Sequence, residues 1–364
     1  MAAPADYFQR IDLTDAAGGG DTALDRTGDN VREDFMDAIY SIAPTDTPFM
    51  SGVGKGVSKD VYTSWLQDTL DEPDDGNALK DGADIGADSS SKARRVGNIN
   101  QISGRSLIIS GRAEKVDKAG RSSEMAYQLS KASKALKRSM EAILTGNQGA
   151  VPDLDGNTAS LLGSLRACFR DAVAPESDTA LVGAVAGANG GVGAAGYPTA
   201  ATAGTDRALT QTLLDTVFQA CYVNGGDPDT IMVSPTVKRL ITEYLYSSSA
   251  RVAALYSDVK DKRTGDVAAQ SSISVYIHDF GMAKIVPNRF LGYTRAAGAP
   301  EDDVYVLDMS MWSVLYLRPF FTKTIPATGD AEKRLLLVDY TLQYKEEMAS
   351  GVIADINSAT PMTA

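Results

Sequence analysis

The sequence predicts an α+β fold, with helices and antiparallel strands mixed rather than alternating. Three stretches carry that expectation. Apolar residues step by three and four from Met125 to Ile143, as one face of a long helix requires. Runs rich in β-branched and aromatic residues crowd the chain from Ile273 to Ile356. Between Val57 and Val116 lie two extended arms around a polar, acidic tip. Strands are not followed one by one by helices, so a doubly wound parallel sheet is not expected.

Taken in order, residues 1–28 are polar and contain Gly18-Gly19-Gly20, and read as an extended arm. Asn30 can cap a short helix, Val31 to Ile42, with Glu33 and Asp34 in its first turn, where the helix dipole favours acids. Phe35, Ile39 and Ile42 form its stripe and Pro44 stops it. Two prolines make Ala43 to Met50 a rigid extended segment. The glycines of Gly52 to Gly56 form a pivot into the long hairpin, whose ascending arm is Val57 to Leu66 and descending arm Val96 to Ile109. Asp71 to Arg95 carries seven acids and four bases and almost nothing to bury. A two-stranded hairpin is marginal alone in water. This arm must therefore lie on its own body or on a neighbouring chain. Arms of about 20 residues at ~3.3 Å each could reach roughly 60 Å.

A helix of about 24 residues, some 36 Å long, is expected from Ala119 or Ser122 to Thr145, capped by Ser122 or Ser123 and ended by Gly146. Met125, Leu129, Ala132, Leu136, Met140 and Ile143 form its apolar face. Lys131, Lys134, Lys137 and Arg138 lie on the other side. That basic run reads most simply as a solvated face; an electropositive surface toward nucleic acid is the sharper alternative. Residues 147–204 are weakly patterned. Thr205 or Asp206 should cap a helix running to Tyr222, with Leu209, Leu213, Val217 and Cys221 on one face. Thr230 to Val233 is a short buried strand, and Ser234-Pro235 a strong helix start. Strands are then expected at Ile273–His278, Met282–Val286, Val304–Asp308, Trp312–Phe321, Arg334–Glu346 and Val352–Ile356.

Composition narrows the function. The formal net charge is −12 over 364 residues, which argues against a dedicated nucleic-acid binder. No apolar run approaches the roughly 20 residues needed to cross a bilayer, and the first residues have neither basic n-region nor apolar core, so a cytosolic protein is expected. Cys168 and Cys221 read as small buried residues. The single histidine, His278, reads as a half-buried strand residue; no nucleophile elbow stands near it in sequence. Asp153-Leu154-Asp155-Gly156-Asn157 hints at a calcium loop, but the glycine comes early and Ser164 stands where the bidentate acid belongs. Gly191, Gly193 and Gly196 match a dinucleotide fingerprint formally, with no strand before them and Tyr197-Pro198 where a helix should open. Glu301-Asp302-Asp303 reads as a turn before a strand. No catalytic, cofactor-binding or metal-ligating residue is nominated.

The order of arm, hairpin, long helix, mixed lobe and long late strand resembles the Hong Kong 97-like major capsid proteins of tailed bacteriophages. The most specific block runs from Asn30-Val31-Arg32-Glu33-Asp34-Phe35 through Ile39-Tyr40 to Pro44-Thr45-Asp46-Thr47-Pro48-Phe49, with Ala43 where the related run has serine. Trp65 with Gln67 is also similar, as is Ile231-Met232-Val233-Ser234-Pro235 followed by Lys238 and Leu240. The resemblance implies an N-terminal arm at 1–53, an extended E-loop at 54–117, a peripheral domain with its spine helix at 118–205, an axial domain at 206–312 and a return to the peripheral domain at 313–364. It also implies pentamers and hexamers of this chain and an icosahedral shell, assembled in host cytoplasm, around double-stranded DNA held non-specifically. Portal and scaffolding or decoration proteins would be partners; no enzyme activity, cofactor or membrane is implied. An encapsulin-like compartment around a cargo enzyme would use the same fold. A soluble enzyme with residues 71–95 as a lid is the remaining reading, and lacks the chemistry.

Overall fold

The computed structural model describes residues 44–68, 93–116, 121–169, 190–193, 196–247, 274–291, 302–326 and 329–363, with 181–182 and a few positions of 70–82. The expected helix at 31–42, most of the acidic tip and Glu301 lie outside these residues.

In chain order, the first elements are α1 (Pro48–Gly52), β1 (Gly54–Val57), β2 (Tyr62–Gln67), β3 (Arg94–Ile99), β4 (Gln101–Ser110), α2 (Gly111–Lys115) and α3 (Glu124–Leu144). The middle holds α4 (Leu165–Cys168), β5 (Leu181–Val182), β6 (Gly191–Val192), β7 (Pro198–Thr199), α5 (Gln211–Val223), β8 (Thr230–Val233) and α6 (Pro235–Ser247). The last are β9 (Val275–His278), β10 (Gly281–Pro287), β11 (Asp302–Leu307), β12 (Trp312–Ile325), β13 (Ala331–Tyr344) and β14 (Gly351–Ile356). Two larger sheets organise them. One is four-stranded, in the order β1-β12-β13-β4. The other is six-stranded, in the order β5-β14-β11-β8-β10-β9. The α+β class holds. Parallel pairs do occur within it, β1 with β12 and β8 with β10.

The long helix forms for the expected reasons. Ser123 accepts a hydrogen bond from the Ala126 N–H at its N-terminus. The carboxylate of Glu114 adds a second cap, accepting from the Ser123 hydroxyl and the N–H groups of Glu124 and Met125, where the dipole favours an anion. At 21 residues α3 is about 32 Å long. Its buried side is Met125, Ala132, Leu136, Met140, Glu141 and Leu144. Leu129 and Ile143 are only half-buried, and Glu141 was not foreseen. Leu136 and Met140 pack in a core with Leu336, Val338, Tyr340 and Leu342 of β13 and Trp312 of β12.

The second core lies under α5 and α6. Leu214, Val217 and Phe218 meet Val237 and Ile241 over Ile231, Val233, Ala283, Ile285, Val304 and Val306 of the six-stranded sheet. On the other face of that sheet, Met232, Tyr305, Leu307 and Val352 join the first core. Its central strands are thus buried on both faces, which is why Ile231–Val233 of β8 and Val304–Leu307 of β11 read as continuous apolar runs.

Three expectations need correcting. The two arms do not form one hairpin: only β2 and β3 pair, antiparallel from Tyr62 opposite Ile99 to Gln67 opposite Arg94. Val57 lies in β1, parallel to β12, and Ile109 in β4, antiparallel to β13. The breaks fall at Ser58–Val61 and Asn100, where the Asn100 carboxamide donates to Ser58 Oγ and to the Asp60 carbonyl and so holds both turns. Six paired residues span ~20 Å, so the roughly 60 Å ladder is not present among the described residues. Second, α5 starts after Thr210, not Thr205 or Asp206. Arg207 is instead tied by its backbone to Asp355 and Asn357, so the chain there runs extended beside the end of β14. Third, Asp302 and Asp303 lie buried in β11 rather than in a turn; Asp303 pairs with buried Arg166 at 3.1 Å. Late in the chain, β14 pairs with β11 in the six-stranded sheet.

Candidate assembly surfaces

The β2–β3 hairpin is fixed at its root. Val96 and Ile99 are buried, and the Trp65 ring stands edge-on to Tyr344 with centroids 5.0 Å apart. Asn98 uses its whole carboxamide. Its Nδ2 donates to the carbonyls of Gly163 (2.9 Å) and Leu342 (2.8 Å), and its Oδ1 accepts from the N–H groups of Gly163 and Ile99. The glycine-rich segment packs here too. The Tyr62 hydroxyl donates to the Gly196 carbonyl, and a Cβ at Gly190 would strike the Ala167 and Thr199 carbonyls. Close backbone approach accounts for Gly190, while Gly191 and Gly196 adopt positive φ (98° and 84°), a conformation open to glycine.

Where the hairpin leaves this root, buried Glu347 holds both strands. One carboxylate oxygen accepts from Gln67 Nε2 at 2.6 Å and the other lies 3.5 Å from Arg94 Nη1. Gln67 also donates to the Lys345 carbonyl. Two large apolar side chains flank this clamp exposed: Leu66, just before Gln67, is 68% exposed, and Leu70, just past it, 98%.

A second exposed apolar surface lies on the β9–β10 hairpin, whose β9 is the sheet edge. Ile277 (74% exposed) and Met282 (69%) stand opposite each other across the strands. Tyr222 stacks on Phe280 nearby, at 4.8 Å.

A buried junction joins the layers between these surfaces. Glu141 of α3 is fully buried. Its carboxylate accepts from the Phe49 N–H (2.8 Å), the Met50 N–H (2.9 Å) and Asn288 Nδ2 (2.8 Å). One residue thus ties the arm, the long helix and the end of β10. Burial raises its pKa above the usual carboxylate range, against the lowering effect of those three donors.

The residues weighed for chemistry lie apart. The His278 ring stacks on Phe218 at 3.8 Å, its Nδ1 accepts from the Phe280 N–H, and burial lowers its pKa. Asp153 and Asp155 spend their oxygens on the N–H groups of Gly156, Asn157 and Thr158 in an exposed turn. Both cysteines are free and buried, and burial pushes the Cys221 thiol up to about 12 and Cys168 well above its usual value. Among the described residues no cluster of His, Cys, Asp or Glu is arranged to hold a metal ion, and no helix is long and apolar enough to cross a membrane. The arrangement holds segments in place and presents surfaces.

Such a molecule, with an anchored but outward-running hairpin beside a long helix and two sheets, has the Hong Kong 97-like fold of a shell subunit. The fold is similar to that in the cyanophage A-1(L) capsid (TM-score 0.58, 12% identity, 90% of this chain and 97% of that one). It is also similar to a chain of Gordonia phage Cozz (TM-score 0.53, 13% identity, 97% and 98%). In sequence the chain is 25% identical over 350 residues to the major capsid protein of Escherichia phage Phieco32, covering 88% of this chain and 92% of that protein. Residues 16–357 match the model of the SU10 major capsid protein family. The chain belongs to that family: it is a major capsid protein, a subunit of the icosahedral shell of a tailed-phage virion.

Proposed function

We propose that this subunit encloses double-stranded DNA, and that residues 68–93 reach across a neighbouring copy to hold the shell together. One observation carries the second part. The hairpin is clamped on its own body at Glu347 through Gln67 and Arg94, and the apolar side chains on either side of Gln67, Leu66 and Leu70, are left uncovered by the described residues. Exposed apolar side chains beside an anchored root suit contact with a second chain. The division into units follows. Residues 1–53 are an arm, 54–117 the hairpin region, and 118–205 with 313–344 a peripheral unit around α3. Residues 206–312 form an axial unit completed by β14. Copies meet as pentamers and hexamers around the axial units, and many modest contacts sum to a stable closed shell. Assembly takes place in the host cytoplasm, with portal and scaffolding or decoration proteins as further partners. The role is structural, without catalysis.

Purified particles, examined by electron microscopy and then opened after nuclease treatment, test this reading. Closed shells containing nuclease-protected double-stranded DNA are expected. Shells filled with a protein cargo would favour the compartment reading instead, and single copies without particles would overturn both.

A further inference from the structure

The strongest unexplained feature is a segregation of charge. The chain is acidic overall, at −12. Yet α3 carries four cations and no acid between Met125 and Met140, and the adjoining strand β4 carries Arg105 and no acid. The acids elsewhere on the elements around this face are engaged. Glu124 pairs with Arg121 at 2.5 Å, Glu332 with Arg334 at 2.7 Å and Asp339 with Arg318 at 3.3 Å, while Glu141 points inward. Lys131, Lys134 and Lys137 are exposed. Arg105 donates to Ser139 across the helix–strand groove; Lys137 lies over the Phe320 ring and Arg138 over Phe290. None of these five cations makes an ion pair with a described residue.

We infer that this strip, Arg105 with Lys131, Lys134, Lys137 and Arg138, faces the lumen of the shell and binds the phosphate backbone of the packaged DNA. The inference rests on the shell reading above and adds which face turns inward. Two arguments favour DNA over a protein partner. Lysine is depleted at protein–protein interfaces, which are anchored by large apolar side chains. Among the described residues, the large apolar side chains that are exposed include none on α3; they lie on strands and hairpins, at the end of α5 and in connecting segments. Lysines without an ion-pair partner present point charges, which suit an even line of phosphates rather than particular bases. Successive cations on α3 stand ~1.5–4.5 Å apart along the axis, within reach of neighbouring phosphates.

The test compares DNA-filled with empty particles. Each is treated with a small acylating reagent, and the modification of every lysine is read by mass spectrometry against the unfolded chain. Lys131, Lys134 and Lys137 are expected to lose reactivity several-fold in filled particles only. A second measurement uses the triple variant Lys131→Gln, Lys134→Gln, Lys137→Gln. It should assemble as well as the unaltered chain, while the log–log salt dependence of DNA binding by opened shells falls by about three in slope. Equal reactivity in filled and empty particles overturns the inference. Failure of the triple variant to assemble overturns it as well, by making the strip a contact between copies. If the unaltered chain forms no particles at all, the shell reading falls and this one with it.

Discussion

A carboxylate removed from water must be held by donors, and Glu141 is held by three from two other parts of the chain. Glu141→Ala leaves the Phe49 and Met50 N–H groups and the Asn288 amide buried without their acceptor. Each such orphan costs ~1–3 kcal/mol, so a loss of about 3 kcal/mol or more is expected in chemical denaturation. The pH dependence has a definite sign. The folded-state pKa of Glu141 lies above the unfolded value, so the folded state holds the proton more tightly. The stability this group contributes is full below the ordinary glutamate range and is lost as pH rises through the raised value. The stability difference between the unaltered protein and Glu141→Gln should therefore shrink as pH rises across that window; a difference that grows would contradict the assignment. Little of this was legible in the sequence. Glu141 follows Met140 on a helix whose apolar stripe could be read, but its partners are 91, 92 and 147 residues away. No local pattern reports that. Asp302 and Asp303 misled for the same reason: acids beside one another suggest a turn until the partner Arg166 is known.

At the scale of elements, the anchored hairpin makes two predictions. Excising residues 71–91 and closing the gap with a short glycine link leaves β2, β3 and the Glu347 clamp in place. The product should be folded, with an unchanged far-ultraviolet circular dichroism spectrum, and should fail to form shells. Unfolding of that variant would show that the excised stretch belongs to the subunit's own core. Glu347→Ala removes the acceptor shared by Gln67 and Arg94, and limited proteolysis within residues 68–93 of unassembled subunits should become faster. The helices were the most legible elements, because caps and stripes are local: Ser123 and Ser234 both cap where expected. The strands were legible as segments but not as pairs. The outer half of each arm pairs with a strand more than 200 residues along the chain, β1 with β12 and β4 with β13, so Val57 and Ile109, which look like hairpin partners, are not paired with each other. An asparagine that bonds across to Ser58 and Asp60 makes that division possible, and nothing in its neighbours announced it.

For the whole molecule, the family was legible in the order of elements and in one proline-rich block, and the basic face of α3 in the run Lys131, Lys134, Lys137 and Arg138 in spite of the acidic total, because a sum over the chain says nothing about where charges lie. That Arg105 of β4 adjoins this face, with a hydrogen bond to Ser139, was not legible. The molecule divides its surface by chemistry. Apolar side chains are exposed at the β2–β3 hairpin and at β9–β10, and unpaired cations along α3. A shell subunit needs that division, since it meets other copies on its flanks and its contents on one side. The most direct measurement is an electron cryomicroscopy map of purified particles, resolved well enough to trace residues 68–93. Closed icosahedral shells in which that stretch of each copy lies across a neighbouring copy are predicted. Shells in which it folds back on its own copy would contradict the claim that the hairpin joins subunits.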